Sequence, residues 1–172
     1  EFILGQYFEY DSSGNIKGVY KYNKGEGSHS GGPTYVPNDY ERTAQFLNNQ
    51  GKPTQIKKED GTYTAYIWDN TNTYLLAEVV NATYANASSY LTTSLNLNNP
   101  SNIESQVQLI RDGLPSSQVT TYIYEPLKGV SKIIDPKGLE ATYHYDDLGR
   151  LEYVKDKNSN ILSKNEYHYK DN

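Results

Sequence analysis

The sequence predicts a mainly β protein, in which successive antiparallel β-hairpins form a twisted open sheet that carries an inserted helical hairpin. Three observations lead to this expectation. A phrase of tyrosine, aspartate and glycine recurs along the chain, apolar and polar residues alternate with a period of two between its copies, and only 81–114 spaces its apolar residues by three and four. A repeated hairpin unit predicts a repeat architecture, whose function lies in assembly and surface rather than in one catalytic cleft.

The clearest copy of the phrase lies near the C-terminus. Two tyrosines that share one predicted face are followed by a turn and then by a new strand. The positions that define this copy are Tyr143, Tyr145, Asp146, Gly149, Arg150, Leu151, Val154 and Asp156. Aspartate at the first turn position accepts hydrogen bonds from the backbone N–H groups that follow, and glycine three places on takes the positive φ that other residues resist. Such short turns between alternating segments predict antiparallel hairpins.

Other copies overlay on this one at fixed shifts. A shift of 21 residues gives the equivalent pairs Tyr122/Tyr143, Tyr124/Tyr145, Ile133/Val154, Asp135/Asp156 and Gly138/Ser159. A shift of 77 aligns Tyr66 with Tyr143 and Trp68 with Tyr145. Weaker copies occupy 10–16 and 47–51. Equivalent tyrosines on neighbouring hairpins are therefore expected to form stacked ladders, in which cross-strand pairs each contribute about 0.2–1 kcal/mol.

The segment 81–114 predicts two helices. In the second helix, Ser101 and Glu104 match a capping box. The apolar stripe that follows comprises Ile103, Val107, Ile110 and Leu114. Gly113 followed by Pro115 ends this helix. A helical hairpin here would cover one face or one end of the sheet.

The first of these helices has the weaker signals. Asn81 is expected to cap it, and its apolar positions are Tyr84, Ala87, Leu91 and Leu95. The linker between the two helices is expected at 98–100. The whole pattern divides the chain into a hairpin at 1–25, a Gly/Pro-rich loop at 26–45, hairpins at 46–80, the helical insertion at 81–114 and hairpins at 115–172.

Composition narrows the classes of function. The 172 residues suit about one domain, and the net charge of −5, with 16 basic against 21 acidic residues, argues against nucleic acid as a partner. Eighteen tyrosines supply most of the large apolar surface in a chain that is only 35% hydrophobic. The absence of cysteine excludes disulfides and thiolate chemistry and favours export weakly, and no stretch is apolar enough to span a bilayer. The absence of methionine indicates a fragment or a processed chain.

The repeated phrase resembles the YD repeat of Rhs-family proteins, whose pattern is roughly Tyr-x-Tyr-Asp-x-x-Gly-Arg-Leu-x-x-Val-x-Asp-x-x-Gly. The copy described above matches every position except the last, where Ser159 replaces glycine, although Asn160 beside it can also take the left-handed turn. The resemblance is specific over 119–169, moderate over 46–80 and weak over 5–25. The order of segments is also similar to that of Rhs-repeat proteins in Bacteroidetes.

This resemblance implies a structural role. Family members wind such hairpins into a shell, so the chain is expected to be a non-enzymatic wall section of an exported or cell-surface protein that encloses or displays a C-terminal, toxin-like domain. The implied partners are other parts of the same long protein, together with edge-to-edge self-association at open sheet edges. No cofactor, metal or membrane span is implied. Asp135–Leu139 shares the letters of the family's self-cleavage segment, but here it aligns with a repeat turn, so no cleavage is assigned to Asp135.

Other chemistries have weaker signals. His144 and His168 occupy equivalent positions, and only His29 could complete a three-histidine metal site; solvated strand residues explain them better. The acidic pairs at 59–60 and 146–147 fit turn chemistry better than glycoside hydrolysis. The more serious alternative is a surface module that binds carbohydrate or a host protein through exposed aromatic rings, with the candidate glycan-stacking residues Tyr63, Tyr66 and Trp68.

Overall fold

The computed structural model describes residues 6–22 and 40–167. These residues form one sheet of eleven antiparallel strands and two helices. In chain order the elements are β1 (Gln6–Tyr10), β2 (Ile16–Tyr22), β3 (Tyr40–Asn49), β4 (Lys52–Lys58), β5 (Tyr63–Trp68), β6 (Leu75–Val80), α1 (Tyr84–Ser88), α2 (Pro100–Gly113), β7 (Gln118–Glu125), β8 (Gly129–Ile134), β9 (Glu140–Tyr145), β10 (Leu151–Asp156) and β11 (Ile161–Lys164).

Each strand of the sheet pairs with the strands that precede and follow it in sequence, so the strand order is β1 to β11 without a crossover. Among the described strands, β1 and β11 each pair on one side only, and the sheet stays open. The prediction of a mainly β, open sheet built from successive antiparallel hairpins with a helical insertion is confirmed. Short turns set most of this order, because each places the next strand beside the last, and the helical segment 81–117 joins β6 to β7, which also pair.

The helices cover one face of the sheet, and the hydrophobic core lies between this face and the helices. This helix face is defined by buried side chains that alternate along the central strands β5, β6 and β7: Ala65, Ile67, Ala77, Val79, Val119, Thr121 and Ile123. The predicted apolar stripe of α2 packs against it, with Ile103, Val107 and Ile110 fully buried and Leu114 half-buried at the helix end. Arg111 of α2 also donates to Thr121 Oγ1 across 3.1 Å, which places α2 over β7.

The start of α2 differs from the prediction. Asn99, and not Ser101, is the N-cap: its side chain accepts from Asn102 N at 3.1 Å, and Pro100 occupies the first turn. Asparagine caps as well as serine does, and proline is favoured at the first helical position, so Asn99–Pro100 is the stronger start signal. Glu104 is therefore not part of a capping box, and it pairs with Lys132 of β8 at 2.7 Å.

The first helix is shorter than predicted. Thr83 caps it by accepting from Asn86 N at 3.2 Å, whereas Asn81 adopts a positive φ of 66° at the end of β6. The helix ends at Ser88, so Leu91 and Leu95 lie outside it. The side chain of Gln106 explains this, since its Oε1 accepts from Thr92 N at 2.7 Å and holds the segment in a non-helical path.

The predicted segment boundaries need one further correction. Residues 40–45 were assigned to the Gly/Pro-rich loop, but they form the first half of β3. The loop core at 26–39 lies outside the described residues. In the described part of the chain, neither helix has the length and apolar character needed to cross a membrane.

Candidate functional site

Five hairpin turns share one backbone pattern. In each turn, the N–H of the first residue donates to the carbonyl of the fifth, and the N–H of the fourth donates to the carbonyl of the first, at N···O distances of 2.9–3.1 Å. The turns span 11–15, 58–62, 135–139, 146–150 and 156–160. The repeated phrase therefore encodes a repeated three-dimensional unit, and the turn positions predicted from it are correct.

An aspartate carboxylate organises four of these turns. Its Oδ1 accepts from the backbone N–H groups two and four residues later at 2.8–2.9 Å, in the turns that begin with Asp11, Asp135, Asp146 and Asp156. In the remaining turn Lys58 takes the first position, and Asp60 instead accepts from Thr62 N at 2.8 Å. These contacts satisfy backbone donors that a strand end would otherwise leave to water.

Arg150 strengthens one of these turns and links it to Tyr167, which lies beyond the end of β11. Its guanidinium contacts Asp146 Oδ2 at 2.6 Å, and its Cζ lies 4.5 Å from the centre of the Tyr167 ring. The Tyr167 hydroxyl in turn donates to the carbonyl of Leu151 at 2.9 Å. Arg150 therefore joins this turn to the Tyr167 ring through its side chain, whereas Leu151 takes part through its backbone carbonyl.

The fourth residue of each turn has a positive φ. Gly149 is at 75° and Gly138 at 79°, and Ser159 is at 67°. In the last turn Ser159 itself takes the left-handed conformation that Asn160 could also have taken, and it keeps the common hydrogen-bond pattern. An L-residue in this conformation costs about 1–2 kcal/mol, so the Ser159 turn is strained relative to the glycine turns.

We expect Ser159→Gly to stabilise the protein. Glycine relieves the strain at φ 67°, partly offset by its larger loss of backbone entropy, for a net gain of about 0.5–1 kcal/mol. Chemical denaturation followed by far-ultraviolet circular dichroism measures the change. Ser12→Gly, at an exposed turn position without positive φ, is the control and should not stabilise. Equal effects of the two substitutions would contradict the assignment of strain to Ser159.

The turn aspartates make folding sensitive to acid. The side chain of Arg150, followed by its backbone N–H, holds the pKa of Asp146 below its usual 3.8. The side chain and then the backbone N–H of Asn160 lower the pKa of Asp156 in the same way. A carboxyl whose pKa is lower in the folded state stabilises the fold above its unfolded pKa, and this contribution is lost as the pH falls through the folded value.

We therefore expect the thermal unfolding midpoint to be flat near neutral pH and to fall below about pH 4. A series of melting curves between about pH 7 and pH 2 measures this dependence. Asp146→Asn should melt lower than the wild type at neutral pH and show a shallower acid decline. A wild-type midpoint that does not change on acidification would contradict the role of the turn carboxylates.

The tyrosines of the repeat share the sheet face opposite the helices. On β7 and β9 they occupy alternate positions, and cross-strand register places Tyr66 beside Glu78, Tyr122 beside Ile133 and Ile133 beside Ala141. Since side chains directly opposite one another in a sheet project from the same face, these pairs lie on one surface. We call it the tyrosine face and define it by Tyr66, Tyr122, Tyr124, Tyr143 and Tyr145.

The tyrosines do not stack directly on their equivalents, contrary to the predicted ladders. Tyr122 and Tyr143 are separated by β8, so Tyr122 lies opposite Ile133 and Tyr143 lies opposite Val154. Strands two places apart are about 9.6 Å from each other, which is too far for ring contact. Val154, which lies directly opposite Tyr143, is only 9% exposed. Aromatic rows thus alternate with β-branched aliphatic rows.

The hydroxyl ends and ring edges of two tyrosines make their own contacts. Tyr145 donates to the carbonyl of Val130 at 2.8 Å, and so ties β9 to β8 where the register of β7 and β8 shifts. Tyr124 contacts Tyr74 with ring centres 5.0 Å apart and planes tilted by 58°. Burial raises the pKa of Tyr124, with smaller effects from Tyr122 and Tyr74. These rings stabilise the sheet.

The three candidate glycan-stacking residues do not form one surface. Tyr63 and Tyr66 are three positions apart on β5 and therefore project from opposite faces. Lys57 Nζ lies 5.3 Å from the centre of the Tyr63 ring. Trp68, at the end of β5, donates from Nε1 to the carbonyl of Pro53 at 2.9 Å, and Lys52 Nζ lies 5.2 Å from its ring centre.

Trp68 nevertheless lines a small cleft. The cleft has a volume of about 160 Å³. Its polar lining includes Asn70, Asn72 and Thr93, and its apolar lining includes Ile67 and Leu95. An aromatic residue next to amide and hydroxyl groups is a chemistry that suits a sugar ring, but Tyr63 and Tyr66 take no part in it.

The remaining candidates have structural contacts. His144 stacks on Tyr153 with ring centres 4.5 Å apart, while His29 and His168 lie outside the described residues. Within residues 6–22 and 40–167, no group of three or more histidine, aspartate or glutamate side chains is placed to hold a metal ion. The Asp146 carboxylate is engaged by its own turn, and Asp135 likewise accepts from Lys137 N and Leu139 N at 2.8 Å.

Comparison of the chain with known proteins found no match: no protein-family model matches it, and no curated protein matches it. The functional inferences below therefore rest on residues and contacts.

One residue of interest that the sequence pattern did not single out is Glu78. Its signal is a lone charge in the otherwise apolar strand Leu75–Val80.

Proposed function

We propose that the chain is a non-enzymatic structural section of an exported YD-repeat protein. In this role its hairpins contribute part of a β-hairpin wall that encloses or displays a C-terminal, toxin-like domain, outside the cell or at its surface. The observation that carries the proposal is the fivefold recurrence of one turn, with the repeat tyrosines on one face. A unit that repeats the same turn, and that presents its tyrosines on the same face each time, suits a wall that grows by the addition of hairpins.

The two edges of the sheet also support a wall. β1 and β11 pair on one side only among the described strands, so each offers backbone donors and acceptors to a further strand. Unpaired edges of this kind invite pairing with another segment of the same protein or with a second copy. The sequential strand order means that added hairpins would extend the sheet without rearranging it.

The acidic residues that would be needed for hydrolysis serve the turns instead. Asp135 and Asp146 each direct a carboxylate oxygen at two backbone N–H groups of their own turn. A catalytic acid or base must face a substrate within hydrogen-bond reach. The proposal accordingly assigns these residues to stability and assigns no residue to catalysis.

Electron cryomicroscopy of the full-length gene product tests the proposed role. The expected result is a sheet that continues past both β1 and β11, with strands about 4.7–4.9 Å apart, and that surrounds a cavity. A map in which these two edges face solvent and the sheet stands as a separate tethered domain would contradict the proposal.

A second candidate function is carbohydrate binding at the Trp68 cleft, favoured by its neighbouring Asn70, Asn72 and Thr93. Titration with a broad set of glycans tests it, with the fluorescence of Trp68, the one tryptophan of the chain, as the signal. A saturable change that Asn70→Ala abolishes would support this function. An unchanged emission across the whole set would dismiss it.

A further inference from the structure

Glu78 is a half-buried charge at the centre of the tyrosine face. It lies directly opposite Tyr66 of β5 on one side and Thr120 of β7 on the other. Tyr122, two residues beyond Thr120, is its diagonal neighbour. Directly opposite Cβ atoms in an antiparallel pair are about 4.5–5.5 Å apart and diagonal neighbours about 7–8 Å. The carboxylate therefore lies between two tyrosine rings; we call Tyr66, Glu78 and Tyr122 the cation pocket.

The carboxylate of Glu78 has no partner in the described chain. Over residues 6–22 and 40–167, neither a hydrogen bond nor an ion pair engages it. Its charge acts on the neighbouring phenols instead: burial, followed by the charge of Glu78, raises the pKa of both Tyr66 and Tyr122. The half-buried carboxylate keeps part of its contact with water, and a cationic ligand that donates to it would replace that water with a charge-assisted hydrogen bond.

A similar group elsewhere in the sheet contains its own cation. Glu9 accepts from Lys17 Nζ at 2.7 Å and from the Tyr20 hydroxyl at 2.8 Å. Arg42 then lies over the Tyr20 ring, with its Cζ 5.6 Å from the ring centre. This glutamate and tyrosine group thus contains two basic side chains, Lys17 on the carboxylate and Arg42 over the ring. The cation pocket has the same acidic and aromatic groups and lacks the basic ones among the described residues.

We propose that the cation pocket binds an arginine or lysine side chain of a partner polypeptide that lies across the tyrosine face. The aromatic rings attract a cation through their faces, and the carboxylate neutralises it. The net charge of −5 also favours the approach of a basic segment. Arginine fits best, because its planar guanidinium stacks on a ring while it donates to a carboxylate. This inference goes beyond the proposed wall function and does not depend on it.

A capped heptapeptide of alternating glycine and arginine is the probe, titrated into the full chain and followed by the ring-proton NMR shifts of Tyr66 and Tyr122. We expect saturable shifts at these two residues. Glu78→Gln should weaken binding about tenfold or more, because a charge-assisted contact is lost. The control is Glu152→Gln, which removes one negative charge from an exposed position outside the pocket; it should change affinity less than about twofold.

Two further comparisons make the test decisive. Tyr122→Phe keeps the ring and should retain binding, whereas Tyr122→Leu should weaken it in a chain whose melting curve shows that it is folded. The same peptide with citrulline in place of arginine should not bind. The proposal is overturned if the arginine peptide does not bind the wild type, if Glu78→Gln and Glu152→Gln weaken binding equally, or if the citrulline peptide binds as tightly.

Discussion

Ile110→Ala is expected to lower the free energy of unfolding by about 2–5 kcal/mol, among the largest effects of any single substitution in this chain. Ile110 is fully buried where α2 packs against the helix face of the sheet. The substitution removes three carbon atoms from a packed interior, and it leaves a cavity that the surrounding strands fill only in part. Urea denaturation, followed by far-ultraviolet circular dichroism, measures the loss.

The matched control for this substitution is Leu109→Ala. Leu109 precedes Ile110 on the same helix, but its side chain is 40% exposed. It loses the same number of carbon atoms, and alanine is at least as good a helix former as leucine, so we expect a loss of less than about 1 kcal/mol. If both substitutions cost the same, α2 does not pack against the sheet through the Ile110 side.

Gly149→Val is expected to destabilise the protein by about 2 kcal/mol, because a β-branched residue at positive φ is strained. Gly149 has a φ of 75°, and an added Cβ would meet no heavy atom within 4 Å. Crowding at Cβ is therefore not the cause, and the expected loss is assigned to backbone strain in the repeated turn. Thermal and chemical unfolding of the variant measure the loss.

The control for the turn is Gly149→Asn. Asparagine adopts the left-handed conformation more readily than other L-residues, so its cost should stay below about 1 kcal/mol. Equal losses for valine and asparagine would mean that something other than φ strain destabilises the turn. The pair thus separates conformational strain from the loss of glycine as such.

The turns and the facing of the tyrosines could be predicted from the sequence because both depend on local rules. Aspartate followed three places later by glycine defines the turn, as at Asp146 and Gly149, and alternation defines the face. The stripe Ile103, Val107 and Ile110 was predictable for the same reason. These patterns need only neighbours within a few residues, which a single sequence supplies.

Other features depended on contacts that the sequence does not display. The non-helical path after Ser88 depends on Gln106, which lies 14 residues beyond Thr92. The prediction that equivalent tyrosines stack on one another was wrong, because the intervening strand β8 places Ile133 between the tyrosines of β7 and those of β9. The start of α2 was misplaced by a choice between two adjacent local signals, Ser101 and Asn99.

The candidate sites were less predictable than the fold. Tyr63 and Tyr66 were grouped by closeness in sequence, although a spacing of three on a strand places them on opposite faces. Glu78 stands out in the sequence as the lone charge of β6, but its place between Tyr66 and Tyr122 follows only from cross-strand register. Binding surfaces on a sheet are formed by residues from different strands, so their composition follows from register, which a one-residue slip would reverse.

The central claim is that tyrosine-bearing hairpins pair in sequence order with their rings on one face. Cross-strand nuclear Overhauser effects test it most directly. We expect contacts of Tyr122 with Ile133 and of Tyr143 with Val154, as the register requires. Contacts of Tyr143 with Lys155 instead of Val154 would show a one-residue slip, which would turn the tyrosines of β9 toward the helices and contradict the claim.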